Sequence, residues 1–289
     1  MIVVTGASGQ LGAQVVANLL ARVPPRQIVA SARDPQKAAS LTERGVQVRK
    51  GDFGDPGSLA AAFSGAEQVL LISVDKLGEQ ARQLHRQGAE AARQAGARRV
   101  LYTSHAGTRA DSPFAPASDH AATEAWLADA GVPFTSLRHG FYAESALHMI
   151  GRAFETGVLS VPADGPVSWT ARSDLAEADA AILADEGRLQ GITPALTAPE
   201  AFTMADLATI ASGLTGREIR HVTLSDDKWL AQAIAQGTPE PMARMLLGAY
   251  QAARRGDFSA VDPTLQAVLG RRPLTMRDVL AATLGSAKT

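Results

Sequence analysis

The chain opens Met1-Ile2-Val3-Val4-Thr5-Gly6-Ala7-Ser8-Gly9-Gln10-Leu11-Gly12, a β-branched apolar run that passes through glycines into a helical pattern. Each glycine answers a different need of a strand-turn-helix unit. Gly6 allows the sharp turn out of the strand, Gly9 lets backbone N–H groups approach a ligand, and Gly12 lets helix and strand pack closely. The helix N-terminus adds the positive end of its dipole. Residues Gly6, Ala7, Ser8, Gly9, Gln10, Leu11 and Gly12 are therefore expected to cradle a dinucleotide pyrophosphate.

A second strand, Gln27-Ile28-Val29-Ala30-Ser31-Ala32, ends at Arg33, twenty-one residues after Gly12. An acidic side chain here would accept from a ribose 2'-hydroxyl, whereas a guanidinium pairs with a 2'-phosphate, so NADP(H) is favoured over NAD. A solvated Arg33 paired with Asp34 is the plainer alternative. Gly51-Asp52-Phe53 closes the third strand, where Asp52 either meets the adenine amino group or serves as a turn aspartate. Ser73, after the fourth strand, falls on the carboxyl edge where such sheets bind ligands.

One rhythm repeats outward from the first turn. Helical patterns stop at Gly45, Gly65, Gly96 and Gly131, each followed by an apolar run: Val46-Gln47-Val48, Val69-Leu70-Leu71-Ile72, Val100-Leu101-Tyr102-Thr103 and Phe134-Thr135-Ser136-Leu137. The glycines read as helix C-terminal caps. Six strands by residue 138, apolar on both faces and alternating with helices, belong to a parallel sheet covered on both sides. The predicted architecture is an α/β, doubly wound parallel Rossmann sheet. The helix over 79–95 carries an apolar stripe of Ala81, Leu84, Gly88, Ala91 and Ala95 that would pack on it.

After residue 140 the rhythm loosens into Val158-Leu159-Ser160-Val161, a helix from near Ser173, a strand near Ile192 and mostly helices from Thr203 onward. Residues 1–142 are expected to bind the dinucleotide, and 143–289 to form a smaller, mostly helical substrate domain, with residues around 165–200 returning to complete the main sheet.

With 289 residues, 46% of them hydrophobic, the chain can bury a large core. A formal net charge of -1 provides no field to gather nucleic acid or an anionic membrane. The absence of cysteine rules out disulfides and thiolate chemistry. The opening has no basic n-region or long apolar h-region, and no later run approaches the roughly 18 apolar residues of a membrane span, so a cytoplasmic protein is expected. The histidines lack helical metal-ligand spacing, and no metal is expected. A homodimer stays open.

The opening motif, Val23-Pro24-Pro25-Arg26-Gln27-Ile28-Val29-Ala30 with Arg33, Gly51-Asp52-Phe53, Leu71-Ile72-Ser73 and Leu137-Arg138-His139-Gly140-Phe141-Tyr142 together resemble the NmrA-like atypical short-chain dehydrogenases. Within that family the chain is most similar to the bacterial type 2 NADPH:quinone oxidoreductases and the triphenylmethane reductases. The resemblance covers nearly the whole chain, most strongly the first 145 residues. It implies an NADP(H) site formed by residues 6–11, Arg33, Ser73 and the loop of His139, Gly140, Phe141, Tyr142, Ala143 and Glu144, with Arg172 near the cofactor end of the cleft. One departure is His139, where these relatives usually carry Asn.

Ordinary short-chain dehydrogenases use a Tyr whose pKa is lowered by a Lys four residues on. That pair cannot form here: the lysines are Lys37, Lys50, Lys76, Lys228 and Lys288, and the tyrosines Tyr102, Tyr142 and Tyr250. The expected partner is instead a small-molecule electron acceptor such as a quinone, which takes hydride with its charge delocalised, so that positioning carries most of the rate. Tyr142 would form a wall or donor of the acceptor pocket, with Ser104 and His120 as polar aids. The plainer readings place Ser104 in a turn and His120 in the first turn of a helix. A non-catalytic NADP-binding regulator is the alternative function.

Overall fold

The computed structural model describes residues 1–131 and 133–286. Its first half alternates as the glycine punctuation predicts: β1 (Ile2–Val4), α1 (Gln10–Leu19), β2 (Ile28–Ala32), α2 (Ser40–Glu43), β3 (Gln47–Lys50), α3 (Pro56–Phe63), β4 (Gln68–Leu71), α4 (Gly78–Gln94), β5 (Arg99–His105), α5 (Ala115–Asp129) and β6 (Phe134–His139). The four capping glycines, Gly45, Gly65, Gly96 and Gly131, have φ of +81°, +73°, +80° and +65°.

The second half adds α6 (Ala143–Ile150), α7 (Ala153–Thr156), β7 (Val158–Pro162), α8 (Arg172–Ala184), β8 (Gly191–Ile192), α9 (Met204–Thr215), β9 (Arg220–Leu224), α10 (Asp226–Ala235), α11 (Glu240–Arg254), α12 (Thr264–Leu269) and α13 (Met276–Ser286). Among the described residues no helix is long and apolar enough to cross a membrane.

The main sheet is parallel throughout, in the order β3-β2-β1-β4-β5-β6-β8. Its central strands are apolar on both faces because both faces are covered. Val4, Ala30, Leu70, Leu101 and Leu137 point to one side, where Val15 and Leu19 of α1 and Leu175 and Ile182 of α8 meet them. Val3, Val29, Val69 and Val100 point to the other, against Leu59 and Phe63 of α3, Ala89 and Ala92 of α4 and Leu127 of α5. The chain order reverses between β1 and β4, so the crevice for a ligand opens at their carboxyl ends.

Residues 172–192 return to this sheet. Helix α8 covers α1 and the two residues of β8 pair with Thr135 and Ser136 of β6. The buried guanidinium of Arg99 fastens that return: it donates to Thr135 Oγ1 at 2.9 Å, to the Ile182 carbonyl at 3.3 Å and to the Leu189 carbonyl.

Beyond β6 a separate core gathers Ala146, Ile150, Leu159, Met204, Leu207 and Tyr250. It packs against a two-stranded parallel sheet of β7 and β9. Strand β9 is a departure from the mostly helical stretch expected after Thr203. Its sequence Arg220-His221-Val222-Thr223-Leu224 lies half-exposed at the surface, so it lacks the apolar run that marks the buried strands.

Candidate active site

The turn after β1 is built around two glycines. Gly6 has φ of +59°, a left-handed conformation that a β-carbon disfavours. A Cβ on Gly12 would lie 2.3 Å from the Gly6 carbonyl oxygen, so only glycine lets α1 start this close to the strand. Gly9 N–H donates to the Gly6 carbonyl at 2.8 Å and Ala7 N–H to that of Ser31 at 3.1 Å, which closes the turn. Thr5 ties it to the neighbouring strand, donating to the Leu70 carbonyl at 3.0 Å and accepting from Ile72 N–H at 2.9 Å.

Ala7, Leu11 and Gly12 are buried, whereas Gly6, Ser8, Gly9 and Gln10 are exposed. No side chain caps α1 and no acidic residue sits in its first turn. The helix start therefore presents open N–H groups and an uncompensated positive end, a fit for a pyrophosphate.

The carboxyl ends of β2 and β3 lie beside this turn. Arg33 is exposed and makes no ion pair with Asp34, whose carboxylate accepts from Gln36 N–H at 3.1 Å. Asp52 Oδ1 accepts from Gly54 N–H at 2.9 Å in a tight turn. Phe53 lies half-buried beneath α4, where a Cβ on Gly88 would meet its ring at 2.3 Å.

A cavity of about 1180 Å³ opens along the sheet edge, and Gln10, Ser73, Ser104, His120, His139 and Tyr142 all line it. Its opposite wall comes from the second half of the chain, including Met149, Leu159, Trp229 and Met245. Trp169 and Phe154 fill the core instead; the Trp169 indole N–H donates to the Phe202 carbonyl at 3.1 Å.

Polar groups on the sheet side are held firmly. Thr103 Oγ1 accepts from Ser73 N–H at 2.9 Å. Ser104 donates its hydroxyl proton to Glu124 at 2.8 Å, so at the cavity wall it offers lone pairs. Glu124, 3% exposed, also receives Ser136 Oγ at 2.7 Å and two nitrogens of Arg138 at 3.1 and 2.6 Å. These contacts balance its charge.

His139 is 2% exposed, with Nε2 at 2.8 Å from Asp179 Oδ1 and Nδ1 without a partner among the described residues. Gly140 runs so close to Thr170 that a Cβ would sit 2.2 Å from Oγ1. Phe141 joins an aromatic knot, its ring centroid 5.2 Å from those of His105, Trp169 and Phe258.

Tyr142 stacks under Arg172, whose guanidinium carbon is 4.8 Å from the ring centroid. Burial raises the Tyr142 phenol above its usual range, so it stays protonated. Glu144 accepts Arg172 N–H at 3.2 and 3.3 Å, fixing the start of α8 against the loop. Ala143, in the same loop, is fully buried and turns into the second core rather than the cavity.

The NmrA-like family model matches residues 1–272. The chain belongs to the NmrA-like family. It is 36% identical to quinone oxidoreductase 2 of Escherichia coli K12 over 281 residues, which is 96% of each chain. Among solved structures, an Escherichia coli NADPH-dependent quinone oxidoreductase complexed with NADPH superposes with a TM-score of 0.92 at 34% identity, covering 98% of this chain and 100% of the other. The Citrobacter sp. triphenylmethane reductase complexed with NADP(H) gives 0.90 at 32% identity, covering 98% and 99%.

Four polar residues of this NmrA-like chain are drawn to the site by the fold without a motif to announce them. His105 lines the cavity, its Nδ1 accepting from Gly107 N–H at 3.0 Å, and burial pushes its pKa down to about 4. Asp179 lies under His139. Tyr102 and His85 stand behind His120, with the Tyr102 hydroxyl 2.7 Å from His120 Nδ1 and 3.2 Å from His85 Nδ1. His85 had one legible signal: it falls four residues after Ala81, on the buried stripe of α4.

Proposed function

We propose that this chain is an NADPH-dependent oxidoreductase that reduces small electrophilic acceptors of the quinone class. The observation that carries the reading is one continuous cavity, which begins at Gln10 on the glycine turn and extends to an apolar wall from the second half of the chain. A dinucleotide at its entrance and a flat acceptor beside it would share one space. The relatives named as quinone oxidoreductases, one of them in complex with NADPH, support both components.

In this reading residues 6–12 hold the pyrophosphate, Arg33 takes the 2'-phosphate, and Ser73, His139, Gly140 and Tyr142 border the nicotinamide end. Residues 1–142 supply the dinucleotide site and 143–289 shape the acceptor pocket. NADPH supplies a hydride, the quinone takes it with its electron pair, and water completes the hydroquinone with a proton. The chemistry needs no Tyr-Lys acid because the product anion is delocalised. Tyr142, stacked under Arg172, walls the pocket, and His120 and Ser104 supply its polar edge.

Steady-state NADPH oxidation with a panel of quinones and azo dyes tests the assignment. Saturable oxidation is expected, with one NADPH consumed per quinone reduced and two per azo bond cleaved to amines. Tight NADP(H) binding with no oxidation by any acceptor would replace the enzyme with a dinucleotide sensor.

A further inference from the structure

We infer that Val74 N–H, acting through His85 and Tyr102, fixes His120 as its Nε2–H tautomer and so aims a permanent hydrogen-bond donor at the acceptor oxygen. The role given to His120 rests on the hydride-transfer reading above; the tautomer itself does not.

The direction of each hydrogen bond follows from its neighbour. Val74 N–H is a backbone donor with no alternative role, and it lies 3.1 Å from His85 Nε2, which must accept. Burial holds His85 neutral, its pKa lowered to about 4, so its one proton sits on Nδ1. That nitrogen faces Thr123 Oγ1 at 3.1 Å and the Tyr102 oxygen at 3.2 Å. Thr123 spends its own proton on the Asp119 carbonyl at 2.9 Å, so it receives from His85.

Tyr102 is left with one ring nitrogen that can take its proton, His120 Nδ1, at the short distance of 2.7 Å. Burial above all, with the carboxylates of Glu124 and Asp119, raises the phenol against the lowering effect of a hydrogen bond with Thr123, so Tyr102 stays protonated, and its short contact to His120 Nδ1 directs the proton there. His120 is also kept neutral by burial and by the neighbouring histidines. With Nδ1 accepting, its proton resides on Nε2, across the ring from Tyr102 on a side chain that lines the cavity. His105, its ring 6.4 Å away at 20°, has Nδ1 occupied by Gly107 N–H, so its proton also resides on Nε2, which is buried without a hydrogen-bond partner among the described residues.

A fixed donor suits the proposed chemistry. When a quinone accepts hydride with its electron pair, a carbonyl oxygen becomes the anionic oxygen of a hydroquinone monoanion, and water later protonates it. A donor already oriented at that oxygen stabilises the charge as it develops without reorganising. His120 donates a hydrogen bond and keeps its proton. Tyr102 and His85 are positioning residues.

Long-range ¹H–¹⁵N correlation of the histidine rings in the unmodified protein reads the tautomer without turnover. A pyrrole-type Nε2 and a pyridine-type Nδ1 on His120 are expected; the reverse pattern overturns the lock. Tyr102→Phe keeps the ring and removes the donor, so it should convert His120 to a mixture of tautomers and lower kcat about tenfold, with NADPH Kd unchanged. In His120→Gln, whose amide donates without any relay, Tyr102→Phe should cost nothing further. Multiplying losses in the double variant would contradict the relay. A locked tautomer in a protein that reduces no acceptor would keep the lock and remove its assigned target, so the two failures are distinct.

Discussion

Gly12 lies so close to Gly6 that a methyl group on it would stand 2.3 Å from the Gly6 carbonyl oxygen and 2.9 Å from the Ala7 Cα. Both obstacles are backbone, so the turn itself must move to admit a side chain. Gly12→Ala is expected to destabilise by about 1–3 kcal/mol and to spoil the row of N–H groups that the turn presents. Thermal unfolding and NADPH titration check this: the melting temperature should fall by several degrees and NADPH affinity by about tenfold or more.

Arg33 is exposed at the end of β2 and has no ion-pair partner among the described residues; the neighbouring Asp34 carboxylate accepts instead from Gln36 N–H. A free guanidinium that meets a phosphate forms charge-assisted hydrogen bonds worth about 1.5–3 kcal/mol. Arg33→Ala should therefore weaken NADPH about 10- to 100-fold and leave NADH nearly unchanged. Equal weakening of both, measured by fluorescence titration, would remove Arg33 from the 2'-phosphate.

The central strands of the main sheet were legible because burial on two faces writes an apolar run into them, and because the helices before β3, β4, β5 and β6 are followed by glycines that turn left-handed, Gly45, Gly65, Gly96 and Gly131. Strand β9 was not, since Arg220 and Thr223 are exposed and Val158–Pro162 supplies the pairing from 62 residues away. The glycine turn could be read from local spacing. The company that His120 keeps could not: His85, Tyr102 and His105 come from α4 and β5, and only the packing of those elements against α5 brings each of their rings within 6.4 Å of that of His120. Asp52 was open between two roles on sequence, and in the fold its Oδ1 is engaged by Gly54 N–H.

Glu124 concentrates four hydrogen bonds from Ser104, Ser136 and Arg138 on one buried carboxylate. Removing it strands two hydroxyls and a partly buried guanidinium. Glu124→Ala is expected to cost about 3 kcal/mol, read in calorimetry as a melting temperature lower by on the order of 10 °C. A change within a degree or two would show that the cluster is not stabilising.

His85 makes stability depend on acidity. Its pKa falls from 6.5 to about 4 on folding because burial penalises the charged ring. Below pH 6.5 the unfolded chain then binds the proton that the folded one refuses. Stability is full above that pH and declines toward pH 4 by about 1.4 kcal/mol per pH unit from this residue. Urea unfolding at pH 7, 6 and 5 should show the decline, and His85→Gln should flatten it by that amount. Parallel curves for the two proteins would contradict the assignment.

Hydride transfer within the shared cavity is measured most directly by single-turnover oxidation of NADPH deuterated at the transferring C4 position, mixed with excess quinone. The account predicts a primary isotope effect on the loss of NADPH absorbance and equal amounts of NADP and hydroquinone formed. NADPH that binds tightly and stays unoxidised by every quinone offered would contradict it.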